Sequence, residues 1–320
     1  MSVWSTATKS KAWKYVVLVF SAVSLALSIG FTHGFAGSLT LAVSQQFNLS
    51  ITESSLPATF NTGFAQMSTT VAAVLTKVLP LRTLQLLGGL VIASGVCISS
   101  LATSNLELML TYGVYTAIGV SLVRSAASGI VRQHFSNDQI NVALCAMMCG
   151  SYIGIASTPA TANYLFTNFT FQQTFLFLSP AFCINILSAI IFTDKSHKDK
   201  TVPSKKGHKV KASVWKDVKE VLADSKVWCF ALSGGLKKFG MAGFYALIPH
   251  YVISERQLTL ENTSVGGSIY GIAAIFGVFL MIALSLVEFN RVLPHALPPI
   301  VGGSAIACIT AAESEASANI

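Results

Sequence analysis

Long apolar runs separated by short polar stretches form the main pattern along this 320-residue chain. Each run has about 20 residues or more, which is the length that an α-helix needs to cross the hydrocarbon core of a bilayer. The first run is too long for a secretory signal peptide and lacks a clear small-residue cleavage site, so we expect it to remain in the mature protein. The pattern predicts nine spans, at residues 14–42, 54–79, 83–104, 107–131, 141–165, 171–192, 227–252, 263–287 and 291–311.

The composition indicates an integral membrane protein. Hydrophobic residues make up 52% of the chain and charged residues only 11%, whereas soluble domains carry roughly 25% charged residues. The net charge of +8 does not indicate a nucleic-acid partner, because the basic residues concentrate in stretches that would form cytosolic loops. The six cysteines lie in apolar runs without metal-ligand spacing, so no metal, cofactor or disulfide framework is predicted. No nucleotide-binding loop or nucleophile motif is present, and an enzyme is not expected.

Two features of the loops predict the same orientation. Lysine and arginine concentrate on cytosolic loops, whereas Asn-X-Ser/Thr sequons are glycosylated only on the lumenal side. With the N-terminus in the cytosol, both patterns are satisfied, and we expect a glycoprotein. The inner side then carries Lys9, Lys11, Lys14, Lys77, Arg82, Arg132 and the basic stretch 194–226, and the outer side carries the sequons at Asn48, Asn168 and Asn262.

The spans fall into two groups around one hydrophilic stretch. Its last part, residues 213–226, alternates apolar and charged residues at helical spacing, which predicts an amphipathic helix that lies on the inner leaflet or packs against the bundle. The polar ending does not lead into a tenth span, so we expect the chain to be truncated relative to a six-plus-six arrangement. The predicted parts are a cytosolic N-terminus at 1–13, a six-span bundle at 14–193, a basic cytosolic linker at 194–226, a partial bundle of three spans at 227–311 and a tail at 312–320.

Three cations lie inside predicted spans, in which no Asp or Glu lies deep: Arg124, Lys237 and Lys238. A charge at bilayer depth costs a few kcal/mol and usually marks a solute pathway. Arg124 precedes Arg132 by eight residues, about 12 Å along a helix, and a guanidinium can hold a carboxylate with two parallel hydrogen bonds. The alternative for Arg124 is a structural contact with helix carbonyl groups. The two lysines lie near the midplane if span 7 begins at 227, and at the inner interface if it begins later.

Several motifs resemble the monocarboxylate transporter family of the major facilitator superfamily, over roughly residues 11–290. They are WKYVV at 13–17, GFTHGF at 30–35, ATS at 102–104, LTYGV at 110–114, HF at 134–135 and FG at 239–240. The resemblance implies an all-α helix bundle of the major facilitator type, with a complete N-terminal six-helix half and about three helices of the second half. It also implies secondary transport of small organic anions by alternating access, a plasma-membrane location and an ancillary membrane glycoprotein as a partner.

The resemblance also gives roles to individual residues. His33 stands where the family has an aromatic residue in the cavity, and its imidazole could bind the solute or exchange a proton; the alternative is a bond to a nearby backbone carbonyl. Lys77 and Arg82 belong to the short inner loop that latches the outward-open form in this superfamily; the alternative is that they are ordinary positive-inside charges.

The chain departs from the family at the positions used for proton-coupled carboxylate transport. Ala36 and Gly37 occupy the site of a span 1 lysine, and Ala274 and Val278 occupy the sites of a span 8 aspartate and arginine. A divergent substrate, facilitated diffusion and loss of transport are therefore all open. The second hypothesis is a truncated, non-transporting membrane protein that binds or regulates a partner membrane protein.

Overall fold

The computed structural model describes residues 12–192, the helix Gly271–Leu280 and the single positions Ser225, Cys229, Ser268 and Ile282. The predicted sites at Lys237, Lys238 and Asn262 lie outside these residues, as does the linker apart from Ser225. Within the described part, all regular structure is helical. The six long helices of the N-terminal half are α1 Trp13–Phe47, α2 Leu56–Val78, α3 Leu81–Ser99, α4 Asn105–His134, α5 Asn137–Asn168 and α6 Phe171–Ile191, and α7 is Gly271–Leu280.

The apolar runs of the first half coincide with α1 to α6 to within a few residues at each end. Five of these helices are long and apolar enough to cross a membrane by length and composition, which confirms an all-α membrane protein. The exception is α2, which has 23 residues but is interrupted by polar side chains along its length. Two of these polar residues, Asn61 and Thr62, are buried within the bundle, which explains how α2 can be less apolar than its neighbours.

Local sequence sets the helix ends on the side that carries the sequons. Asn48 ends α1 in the left-handed conformation, with φ of 52°, which asparagine tolerates better than most residues. Thr170 begins α6 with a capping box, because its hydroxyl accepts from the Gln173 amide while the Gln173 side chain accepts from the Thr170 amide. These caps satisfy backbone donors that would otherwise lie unpaired near the membrane surface.

Glycine allows α1 and α5 to pack with their backbones in contact. A Cβ atom added to Gly34 would lie 2.9 Å from the Thr158 Cβ, and one added to Gly154 would lie 2.8 Å from the Gly30 Cα. Both distances are shorter than any normal contact of a Cβ atom. Small residues are typical of such interfaces in membranes, where helices associate through close packing rather than through the hydrophobic effect.

A fully buried polar network joins α1, α3 and α6 and lines neither of the two cavities described below. The Gln85 side-chain amide donates to the Ser24 hydroxyl at 3.1 Å and to the Asn185 carbonyl oxygen at 3.3 Å. Ser24 in turn donates to the Ser188 hydroxyl at 2.9 Å. All four residues are completely buried. Hydrogen bonds of this kind fix the register of helices that are otherwise surrounded by apolar side chains.

The two ends of the bundle differ in charge. The end formed by the start of α1 and the loops after α2 and α4 carries Lys14, Lys77, Arg82 and Arg132. Lys14 donates to the Gln139 side chain at 3.1 Å and lies 5.2 Å from the centre of the Phe135 ring. The opposite end carries Glu53, Glu107 and the sequon residues Asn48 and Asn168, both exposed. We call these the basic end and the sequon end.

Candidate functional site

A recess lies between α1, α2 and α4 in the middle of the bundle. The empty space within it amounts to about 330 Å³, part of which is open to solvent. Eight of its eleven lining residues have polar side chains, although these helices are embedded in a largely apolar bundle. Its principal polar residues are His33 from α1, Asn61, Thr62 and Gln66 from α2, and Ser121 and Arg124 from α4.

Arg124 is the positively charged residue of this recess. It is half-buried, and its Nη1 donates to the Gln66 Oε1 at 3.2 Å. Gln66 is neutral, and Arg124 forms no ion pair with a described residue. The acids of residues 12–192 are Glu53, Glu107 and Asp138, which all lie at helix ends by their positions in the sequence. The guanidinium is therefore held in place by an amide, and in the sequence no Asp or Glu lies near the middle of these six helices.

A wider vestibule lies next to the recess, on the side of the basic end. It has an empty volume of about 820 Å³, part of it open to solvent, and is lined by α2, α4 and the first residue of α3. Arg124 and Thr69 line both spaces, and Arg132 lines the vestibule near the end of α4. Because the two arginines are separated by eight residues, they lie about 12 Å apart along the helix axis. An anion that enters from the basic end would meet Arg132 first and Arg124 second.

The structure thus brings together two of the four predicted substrate-binding residues. His33 and Arg124, which are distant in the sequence, lie on the walls of one recess. Lys77 and Arg82 are both exposed at the basic end, and neither forms an ion pair within the described part of the chain. Asn48 and Asn168 are exposed at the opposite end. Their roles as latch residues and glycosylation sites remain predictions.

The sequence analysis missed Asn61, Thr62 and Gln66. A signal for Thr62 and Gln66 exists, because Thr62, Gln66 and Thr69 recur at intervals of four and three residues and so lie on one face of α2. That face is the one that lines the recess. A polar stripe on one predicted span, at the depth of a buried cation on another, is therefore a usable indicator of a solute site.

Ala274 and Val278, which the resemblance matches to a span 8 aspartate and arginine, lie on the face of α7 that carries the buried Gly271. Gly271 is buried against Ala156 of α5, where an added Cβ would come within 2.6 Å of the Ala156 Cα. Val278 is buried and Ala274 is half-buried, whereas Phe276 is 70% exposed. Ala274 and Val278 share this face with Gly271, since the three are spaced by three and four residues. The face that meets α5 therefore carries no charge at these two positions.

The chain was compared with protein-family models and with individual proteins, and the two comparisons agree. The family model of the Major Facilitator Superfamily matches residues 4–312. Human monocarboxylate transporter 2 is 25% identical over 241 residues, which cover 69% of this chain and 50% of that protein. Human monocarboxylate transporter 12 is 35% identical over 101 residues, covering 32% of this chain and 19% of that protein. The chain spans half or less of the length of these relatives. The predicted resemblance to monocarboxylate transporters is confirmed.

Proposed function

Because this chain belongs to the Major Facilitator Superfamily, we propose that it is a secondary transporter of small organic anions that resemble monocarboxylates. The solute binds in the recess, where Arg124 holds its negative group and His33 lies on the adjoining wall. The carrier works by alternating access, in which two helix bundles rock around a site near the midplane. Lys237 and Lys238 of the second half are the further cations of this proposal, in which the solute would contact one of them.

The observation that carries the proposal is the position of Arg124. A guanidinium inside a bilayer-spanning bundle costs several kcal/mol unless it is solvated or paired. Here it lies between a polar recess and a vestibule open to solvent, and its bond to Gln66 supplies an acceptor but no negative charge. A carboxylate that forms two parallel hydrogen bonds to it would neutralise this charge. An anion is accordingly the ligand that such a site stabilises most.

The direction of the vestibule fits an inward-open arrangement. The vestibule leads to the basic end, which we propose to be cytosolic together with the N-terminus, because lysine and arginine favour that side. The sequons at Asn48 and Asn168 then lie outside the cell. A plasma-membrane location and an ancillary membrane glycoprotein as a partner belong to the same proposal and rest on the resemblance to monocarboxylate transporters.

Uptake of labelled carboxylic acids by cells that express the chain tests this function. The amount of protein at the membrane is measured for each variant, and uptake is normalised to it. We expect Arg124→Ala to reduce uptake by about tenfold or more, because a charged hydrogen bond is worth about 1.5–3 kcal/mol. Leu101→Ala is a suitable control, since Leu101 is 76% exposed and lies outside both cavities.

Two results would contradict the proposal in different ways. Uptake that is unchanged in Arg124→Ala would show that the site is assigned wrongly. A lack of uptake of every acid by the membrane-inserted wild-type chain would exclude transport by this polypeptide, and would favour a membrane protein that binds or regulates a partner.

A further inference from the structure

The helix that carries Arg124 contains a π-helical segment. Residues Met109–Tyr115 of α4 are π-helical, and the Thr116 amide closes the segment by donating to the Thr111 carbonyl oxygen, five residues back. Such segments are rare, hold one residue more than an α-helix of the same length and occur frequently at functional sites. The part of α4 that follows, including Arg124, is therefore displaced by one residue from the register of an uninterrupted α-helix.

The segment leaves one backbone carbonyl without a donor from its own helix. After the bond to Thr111, α4 returns to the α-helical spacing of four residues, so the amides skip the carbonyl that follows Thr111. That carbonyl belongs to Tyr112. It accepts instead from the side chain of Asn61 on α2, whose Nδ2 lies 2.7 Å from the Tyr112 oxygen. Asn61 is 1% exposed, so this bond is sealed inside the bundle.

Glycine contacts on two neighbouring helices hold this register. A Cβ atom added to Gly113, near the end of the segment, would lie 3.1 Å from the Phe60 Cβ of α2. A Cβ atom added to Gly119, beyond the segment, would lie 2.9 Å from the Gly88 oxygen of α3, which is closer than Cβ atoms normally come. Without the extra residue, Ile118 would occupy the position of Gly119 and would collide with α3. Packing against α2 and α3 together therefore requires the π-helical segment.

The displacement decides which side chain lines the recess. One residue corresponds to a rotation of about 100° and a rise of about 1.5 Å along an α-helix. In an uninterrupted α-helix, Val123 would occupy the present position of Arg124, and Arg124 that of Ser125. Val123 is apolar and completely buried, whereas Ser125 lines the vestibule. The recess would then lose its cation.

We infer that the π-helical segment of α4 sets the rotation that points Arg124 into the recess, and that Asn61 stabilises this segment by bonding the Tyr112 carbonyl. Asn61 is thus a positioning residue, which acts on a bound anion only through Arg124. The consequence for anion binding rests on the proposed function, whereas the register of α4 does not.

Deletion of Val114 tests the register. Val114 is half-buried within the segment, and its removal should convert the segment into regular α-helix while Arg124 keeps its rotation. The full chain with this deletion, in lipid nanodiscs, should bind labelled butyrate within about threefold of wild type. Deletion of Leu90, which is 47% exposed in the α-helix α3, is the matched control. It should abolish folding or binding, because it rotates the rest of α3 by about 100°.

Thermal unfolding of the same preparations tests the role of Asn61. In the full chain, Asn61→Leu should lower the melting temperature by about 5 °C, because the Tyr112 carbonyl is then buried without a donor. In the chain without Val114, the same substitution should be neutral or stabilising, because that carbonyl is then paired within α4. Thr62→Val is the control. Its hydroxyl bonds the Ala58 carbonyl of its own helix at 3.2 Å, so its effect should be the same in both chains.

The outcomes separate this inference from the proposed function. A Val114 deletion that does not fold, or that loses as much butyrate affinity as Arg124→Gln, would overturn the role of the segment. Equal losses of melting temperature from Asn61→Leu in the two chains would overturn the role of Asn61. A wild-type chain that binds no butyrate would count against the proposed function alone, because folding and melting temperatures still decide the register of α4.

Discussion

The substitution Gln66→Glu tests whether the charge of Arg124 is available to a ligand. Gln66 Oε1 lies 3.2 Å from Arg124 Nη1, and the change replaces the amide nitrogen by an oxygen while leaving the shape of the side chain nearly unchanged. The new carboxylate would pair with the guanidinium and compete directly with the carboxylate of a solute. We therefore expect Gln66→Glu to bind organic anions much more weakly than wild type.

The magnitude follows from the distance. Two unit charges 3.2 Å apart attract by about 5 kcal/mol at an effective dielectric constant of about 20. Part of this energy is offset by the desolvation of the new carboxylate, and the net value of a charged hydrogen bond is about 1.5–3 kcal/mol. The expected loss of anion affinity is therefore about 10-fold to 100-fold.

Equilibrium binding of labelled butyrate to nanodisc-embedded protein measures this effect. Gln66→Met is the matched control, because it keeps the length of the side chain, removes the acceptor and adds no charge. It should change affinity by about fivefold or less, since it removes one bond of roughly 0.5–1 kcal/mol that orients the arginine. Wild-type affinity in Gln66→Glu, or an equal loss in both variants, would refute the role given to the unneutralised charge.

Three further predictions concern the scaffold and its orientation. Gly154→Ala should lower the free energy of unfolding by about 1–3 kcal/mol through overpacking against α1. Gly63→Ala is the control and should be neutral or stabilising, because a Cβ there would contact nothing within 4 Å. Thermal unfolding in detergent compares the two variants, and equal losses of stability would contradict the close packing of α1 and α5. Gln85→Leu should destabilise by about 1–3 kcal/mol because it removes two buried hydrogen bonds, and an unchanged melting temperature would contradict this. Enzymatic deglycosylation should lower the apparent mass of the wild-type chain expressed in mammalian cells. The decrease in mass should be smaller in Asn48→Gln and in Asn168→Gln. A wild-type chain with no glycan at Asn48 or Asn168 would contradict the outside placement of the sequon end.

Much of the fold could be predicted from hydrophobicity alone. The apolar runs located α1, α3 and α6 because a bilayer requires about 20 apolar residues in each span, whatever their order. The prediction also located α2, at 54–79 against the observed Leu56–Val78, although its 23 residues have a lower hydropathy because one face lines the recess. Contacts such as the one between Gly34 and Thr158 could not be predicted, because they depend on how two helices distant in sequence cross.

The site could be predicted only in part. Arg124 was identifiable because a cation within a span is rare and costly. Neutral amides give no such signal, as Gln66 and Gln85 show: both are glutamines within predicted spans, yet one holds the arginine of the recess and the other bridges α1 and α6 in a sealed network. The role of such an amide depends on which neighbouring helix packs against the face that carries it, and a single sequence does not contain that information.

The central claim is that the Arg124 guanidinium binds the negative group of the solute. Its most direct test is the affinity of wild type and Arg124→Gln for labelled butyrate, measured at equilibrium in nanodiscs with the fold of each verified. Wild type should bind one anion per chain, and Arg124→Gln should bind about tenfold more weakly or worse, because glutamine keeps a hydrogen-bond donor but loses the charge. Equal affinity in the two proteins would contradict the claim.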